Sequence, residues 1–327
     1  MPVPTNKAPP PTKEYIKPLN QDLYNPDDEA KEFFKLETGM EDDKLLKEHI
    51  LEVQAKAFKV RHSGLDLQGF GRQISPQEYP YPCIRIFEFM KLKIARLPDY
   101  QKFLDVGKKP GAIVLDLGCC FGNDFRKAIR DGIPAEHVIA SDLQGAFWHL
   151  GKELFKITPE SKSYRASFIA GDVTRSEFLA AVPPFTKDSP PICERPKDLH
   201  KVKTLNELQG HVSAIFTGAF FHLFEEETQT EIARKLAGLL SPEPGSMLLS
   251  VQGGTKEAGI WNPTGSIRFM FCHSPESWRE LWEDIFGKGN VEVRARIRKE
   301  EGGLDFYGMF PGNKEQYHVL EWSVERK

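Results

Sequence analysis

Residues 112–124 read Ala112-Ile113-Val114-Leu115-Asp116-Leu117-Gly118-Cys119-Cys120-Phe121-Gly122-Asn123-Asp124. A short apolar run ends in an acid and a glycine, then turns through a second glycine into a helical pattern. That is how a buried parallel strand hands over to a helix beside a nucleotide-type pocket. Gly118 and Gly122 carry no Cβ, so the backbone there can approach a ligand closely. The next apolar run, Val138-Ile139-Ala140-Ser141-Asp142, ends in another acid. A carboxylate at that position can accept hydrogen bonds from both hydroxyls of a ribose.

A dinucleotide site would want Gly-x-Gly-x-x-Gly, so that a pyrophosphate rests on the helix N-terminus. Here the spacing is Gly-x-x-x-Gly, and Cys119, Cys120 and Phe121 fill the turn. The bulkier loop suits a ligand with a ribose but no phosphate, and the expected cofactor is S-adenosyl-L-methionine. Residues expected to line its site are Gly118, Cys119, Cys120, Phe121 and Gly122 in the turn, with Asp142, Leu143 and Gln144 after the second strand. The purely structural alternative is a strand-turn-helix with no ligand.

The chain has 327 residues, enough for one large α/β domain with an extension or for two modest domains. A net charge of −3 offers no basic field for nucleic acid, so no nucleic-acid partner is expected. No apolar run approaches the ~20 residues of a membrane span. The proline-rich start, Met1 to Pro11, has neither a hydrophobic nor an arginine-rich targeting pattern, which leads to a cytoplasmic expectation. The five cysteines (Cys83, Cys119, Cys120, Cys193, Cys272) are odd in number and fit no zinc spacing, so reduced thiols and no metal are expected.

Residues 1–40 are polar and proline-dotted and read as a disordered or extended arm. Residues 41–110 read as a helical cap: one helix from Asp42 to Phe58, with Leu46, Ile50, Val53 and Ala57 on one face, and a second carrying Cys83, Phe87, Met90 and Ile94. From 111 to 327 strands and helices alternate. Strands are expected at Ile113–Leu117, His137–Ser141, Ser167–Ala170, Val212–Thr217, Met247–Val251, Val291–Arg298 and Tyr317–Val324. Helices are expected at about Phe121–Asp131, Gln144–Lys156, Glu225–Leu240 and Pro275–Phe286. Inserted loops fall near 183–210, where Pro183 to Pro196 holds five prolines, and near 253–272. Alternation of this kind gives an α/β fold, a parallel Rossmann-like sheet with helices on both faces.

In such a sheet the ligand lies beyond the C-terminal strand ends. Asp172 and Val173 follow the third strand and suit an adenine, the acid for the exocyclic amine and the valine for the ring; the alternative is that Asp172 caps the next element. Gly218 closes the fourth strand, and Phe220-Phe221-His222-Leu223-Phe224 follows where a methyl acceptor would sit. His222 is the candidate catalytic base for a phenol, whereas an ionised carboxylate needs none. Tyr79, Tyr81, Arg85, Phe221, Trp261, Phe269 and His273 are candidate acceptor contacts; aromatic rings with interspersed cations suit an apolar acid. For any one of them, ordinary packing is the competing reading.

These residues resemble the class I S-adenosylmethionine-dependent methyltransferases, and more narrowly the fungal meroterpenoid enzymes that methylate a carboxyl group. The resemblance is carried by Tyr79-Pro80-Tyr81-Pro82-Cys83-Ile84, Leu115 to Gly122, Ser141-Asp142-Leu143, Gly218 to Phe224 and Leu239 to Ser246. It implies a seven-stranded sheet with a reversed last strand, and Gly118, Cys120, Asp142 and Asp172 at the cofactor. Two departures stand out: Gln144 replaces a basic residue, and the Pro183–Pro196 insertion is long. The expected activity is O-methylation of a small apolar natural product, at a carboxylate or alternatively at a phenol, nitrogen or carbon. A silent cofactor-binding regulator and a nicotinamide-dependent reductase are the rival classes.

Overall fold

The computed structural model describes residues 18–60, 82–261, 270–299 and 317–327. Five strands lie parallel: β1 (Val114–Leu117), β2 (Val138–Asp142), β3 (Ser167–Ala170), β4 (Ala214–Gly218) and β5 (Met247–Gly253). The last strand, β9 (His318–Arg326), inserts antiparallel between β5 and β8 (Val291–Lys299). The sheet order is β3-β2-β1-β4-β5-β9-β8. The seven-stranded sheet with a reversed last strand is therefore present, and the chain order switches between β1 and β4.

All four residues of β1 and all seven of β5 are buried, as central parallel strands covered on both faces require. Their side chains alternate between the faces. On one face Leu115, Leu117 and Leu248 join Ile232, Leu236 and Leu239 of α7 (Glu226–Leu239) and Trp278 and Trp282 of α8 (Pro275–Phe286). On the other, Val114, Val138 and Leu249 join Phe103 of α4 (Tyr100–Gly107), Phe125 and Ile129 of α5 (Asn123–Arg130) and Trp148 of α6 (Gly145–Leu154). α8 begins and ends as expected, because Ser274 accepts from the Ser277 N–H and Pro275 occupies the first turn. Among the described residues no helix is long and apolar enough to cross a membrane.

Three expectations need correction. The arm does not run to residue 40: Asp28–Thr38 is a helix, α1, capped by Asp27 on the Ala30 N–H at 2.9 Å and closed by Gly39 at φ 68°. It buries Ala30, Phe33 and Phe34, and the Phe34 ring stacks on Phe155 at 5.1 Å. With α2 (Asp43–Ala57) it forms a third apolar cluster against Phe121, Phe147, Leu154 and Phe155.

The second cap helix is not continuous. α3 spans only Pro82–Arg85; Phe87 turns left-handed at φ 58°, and tight turns follow at Glu88–Met90 and Ile94–Arg96. Tertiary bonds override the helical spacing. Asn123 Nδ2 donates to the Lys91 carbonyl at 2.8 Å, and the Ile94 N–H donates to Asp124 Oδ1 at 2.9 Å. Finally, the 253–272 insertion is not all loop: β6 (Gly259–Trp261) and β7 (Met270–Cys272) pair antiparallel. Residues 183–196 form neither helix nor strand, as expected.

Replacing Phe34 with alanine is expected to cost about 3–5 kcal/mol in chemical denaturation, the range for a fully buried phenylalanine. A loss below ~1 kcal/mol would mean that α1 does not belong to the cooperative fold.

Candidate cofactor and acceptor site

Gly118 takes φ 75°, Cys120 φ 50° and Gly122 φ 76°, so the turn after β1 coils tightly back on itself. Its N–H groups are committed internally. Gly118 and Cys119 donate to the Ser141 carbonyl at 2.8 and 3.1 Å, and Gly122 donates to the Cys119 carbonyl at 2.7 Å. The Cys120 N–H donates to Asp142 Oδ2 at 2.9 Å, while Asp142 Oδ1 accepts from the Gln144 N–H at 2.8 Å. One carboxylate thus joins the turns after β1 and β2, and each of its oxygens retains a further lone pair. A pyrophosphate would need those amides free, so the geometry disfavours a dinucleotide.

A Cβ on Gly118 would sit 2.7 Å from Phe220 Cδ2, so the bare backbone there is what admits the ring. Behind the turn, Arg126 is buried and donates through Nη1 to the Phe121 and Gly122 carbonyls at 2.6 and 2.9 Å. Its guanidinium lies 4.5 and 4.7 Å from the Phe125 and Phe155 ring centres. Burial lowers its pKa to about 10, which leaves it charged at neutral pH. Phe121 itself is fully buried, edge-on to Phe89 and Phe147, so its backbone and not its ring borders the crook. Cys119 is buried and Cys120 half-buried; burial above all holds both thiols well above their usual range, so neither is a nucleophile.

Burial also raises the Asp142 carboxyl, partly offset by its two N–H donors. Asp116 is pushed up by burial and then by the charges of Asp124 and Asp142. Gln144 is buried, and its Nε2 has no partner among the described residues, which leaves an orphaned donor beside Asp142. Leu143 is half-buried between them. The spare lone pairs of Asp142 and the Gln144 amide, without a partner among the described residues, fit a phosphate-free nucleoside.

After β3 the Gly171 N–H donates to the Asp142 carbonyl at 3.1 Å. Asp172 Oδ1 accepts the Thr174 N–H at 2.9 Å and its hydroxyl at 2.7 Å, so the acid caps a turn. Its second oxygen has Arg175 Nε 3.8 Å away. Val173 packs into the apolar core.

At the end of β4, Gly218 lies beside the stem of Lys93, whose Cδ is 3.8 Å from where a Gly218 Cβ would be. Lys93 Nζ donates to the Glu88 carbonyl at 2.8 Å and pairs with the Glu88 carboxylate at 3.4 Å. Burial opposes its charge, but Glu88 and Asp124 outweigh burial and the pKa rises. Ala219 turns left-handed at φ 54° and donates to the Val251 carbonyl at 2.7 Å. His222 follows, and its Nδ1 accepts the Gly253 N–H at 3.1 Å. A ring nitrogen that accepts from an amide carries no proton, so the imidazole is neutral with its hydrogen on Nε2. Tyr317 Oη comes 2.9 Å from where a Gly253 Cβ would be, and the Tyr317 ring is 5.3 Å from Trp261.

The structure therefore brings together Gly118, Cys120, Asp142 and Gln144 at one end, and Phe220, His222, Trp261 and Tyr317 at the other. Three expected acceptor residues are engaged by other partners. Phe221 is fully buried against Trp278 and Trp322, at 5.0 and 5.9 Å. His273 is 4% exposed, shares a 2.9 Å hydrogen bond with Ser277 Oγ and packs on Trp278, so it is a helix-start core residue. Arg85 Nε donates to the Pro18 carbonyl at 2.9 Å and so serves the N-terminal arm. Tyr79, Tyr81 and Phe269 lie outside the described residues. Lys93, Arg126 and Tyr317 were missed: each acts across the fold and carries no local sequence signal.

A family model described as the meroterpenoid methyltransferase N-terminal domain matches residues 19–90. Over 226 residues the chain is 31% identical to methyltransferase adrK of Penicillium rubens, covering 69% of this chain and 72% of adrK. The chain belongs to the same family as adrK and is a methyltransferase. O-methyltransferase phiE of a fungal species is 28% identical over 234 residues, covering 72% of this methyltransferase and 69% of phiE. O-methyltransferase atr3 of Stereocaulon alpinum is 28% identical over 262 residues; the match covers 79% of this methyltransferase but only 62% of atr3. The family match spans the α1–α2 layer, so the cap that packs on Phe121 of the turn after β1 is itself a family feature.

Burial lowers the His273 pKa from 6.5 to about 4. The unfolded chain then binds the extra proton as pH falls below ~6.5, so stability is full above that value and drains away toward pH 4. Denaturation at pH 7.5 and pH 5 should show a loss of about 2 kcal/mol that the His273→Asn variant lacks. Parallel slopes in the two proteins would place His273 in solvent.

Proposed function

We propose that this methyltransferase uses S-adenosylmethionine to esterify a carboxylate on an apolar, terpenoid- or meroterpenoid-like small molecule. When bound, the cofactor supplies a methyl group already activated on a sulfonium. Asp142 and Gln144 would hold its ribose and Asp172 its adenine amine, while the bare backbone at Gly118 lets Phe220 close in beside the turn. Phe220, Trp261 and Tyr317 supply apolar surface for the acceptor and keep water out of the space above β4 and β5.

The observation that favours a carboxylate is the His222 hydrogen bond. With Nδ1 accepting from Gly253, the ring hydrogen is on Nε2, which is then a donor and not a base. A phenol, with a pKa near 10, would need its proton removed. A carboxylate arrives ionised, and an Nε2–H can hold one of its oxygens while the other attacks the methyl carbon. His222 is thus read as an orienting donor. Kin named O-methyltransferase, phiE and atr3, support oxygen as the methylated atom. The acidic overall balance, −3, supports a small-molecule partner over nucleic acid.

Incubation with labelled cofactor and a panel of terpenoid acids and phenols, read by mass spectrometry, is expected to add one methyl to an acid. Methylation confined to phenols would overturn the carboxyl reading. The pH–rate profile on that acid should be flat from about pH 6 to 8. A limb in that range that disappears in His222→Gln would restore the histidine as a base.

Asp142→Ala should weaken S-adenosylhomocysteine binding by about a hundredfold or more in calorimetry, since two bonds of at least ~1.5 kcal/mol each vanish. Unchanged affinity would remove Asp142 from the ribose.

A further inference from the structure

Lys235 lies on α7, against the loop after β3, and is 2% exposed. A buried ammonium is costly unless its donors are matched. Its Nζ donates to the carbonyls of Val173 and Thr174, at 3.0 and 2.8 Å, and pairs with Glu231 Oε1 at 2.7 Å, one helical turn earlier. Those two carbonyls belong to the residues just past Asp172, where β3 has ended and no strand ladder holds the backbone. Thr174 is also the residue whose N–H and hydroxyl both bind Asp172 Oδ1. The chain of contacts runs from α7 through Lys235 and Thr174 to Asp172. From the other side, the Gly171 N–H is tied to the Asp142 carbonyl.

We infer that Lys235 is a positioning residue for adenine recognition: it fixes the Asp172–Thr174 turn so that the Asp172 carboxylate faces the exocyclic amine. The inference rests on the reading of Asp172 as the adenine contact. Arg126 holds the carbonyls of the first turn in the same manner, so the turns after β1 and β3 each have a buried cation from a helix behind them. With Lys235 removed, two carbonyls lose their donor, Thr174 shifts, and Asp172 loses the oxygen position that its Oδ1 bonds define. The consequence is lost discrimination at the purine 6-position, not lost methyl transfer.

The test compares binding of S-adenosylhomocysteine and its analogue with hydrogen in place of the 6-amino group, by calorimetry. The wild-type chain is expected to prefer the amine about tenfold, the value of one hydrogen bond to a charged acceptor. Asp172→Ala abolishes that preference. Lys235→Met reduces it to about twofold or less and raises the KM for S-adenosylmethionine about tenfold, while kcat at saturating cofactor stays within about threefold. Lys235→Arg, which keeps the charge and the donors, restores the preference.

Lys235→Leu likewise removes both the charge and the donors; it is the second variant should the methionine protein fail to fold, with the same loss of preference expected. Wild-type preference in a folded Lys235→Met or Lys235→Leu protein overturns the inference and leaves Asp172 in place. If the wild-type chain itself ignores the 6-amino group, the adenine reading fails, and the positioning role falls with it.

Discussion

The site depends on one carboxylate spanning two loops. Asp142 accepts from the turn after β1 through Oδ2 and from the turn after β2 through Oδ1, and its own carbonyl anchors the turn after β3. Three strand ends are thereby held by one residue. Parallel strands end with unpaired N–H and C=O groups, and something must satisfy them when the loops beyond are only partly exposed. Here the satisfying group is also the one that can bind a ribose.

The helices behind the sheet answer the carbonyls as Asp142 answers the amides. Arg126 and Lys235 are both nearly inaccessible, and each places its charge on two backbone oxygens of a loop at the site. Buried cations of this kind rigidify loops that would otherwise be free to move, and rigid loops bind a cofactor without first having to order. On the acceptor side the arrangement is different. Hydrogen bonding to Gly253 sets the tautomer of His222, and Trp261 and Tyr317 come from segments far apart in the chain. The crook at Asp142 is built on the strand ends themselves, whereas the other end draws on the connection after β4, on β6 and on the residue before β9.

This division explains what could be read in advance. Buried parallel strands are continuous apolar runs, so their positions were legible to within a residue or two, and Ser274-Pro275 marked the start of α8. The glycine turn and the acid that ends β2, which a hydrogen bond joins in the structure, were legible from residue type and spacing alone. α1 was missed although Asp27 and Gly39 bracket it, because the narrow stripe of Ala30, Phe33 and Phe34 is short among charges. Residues 83–94 have helical spacing but obey bonds from Asn123 and Asp124, which no local pattern encodes. Phe221 and His273 carry site-like chemistry, yet the aromatic cluster of Trp278, Trp282 and Trp322 claims them for the core. Tyr317 and Lys235 reach their places only through sheet order and helix packing.

The most direct measurement is a crystal structure of the full chain with S-adenosylhomocysteine. The ribose hydroxyls should lie on the free lone pairs of Asp142, with the adenine over the Asp172 turn and the sulfur pointing toward His222 and Trp261. A nucleoside found away from the β1–β2 crook, or a crook that stays closed by its own side chains, would contradict the assignment at its root.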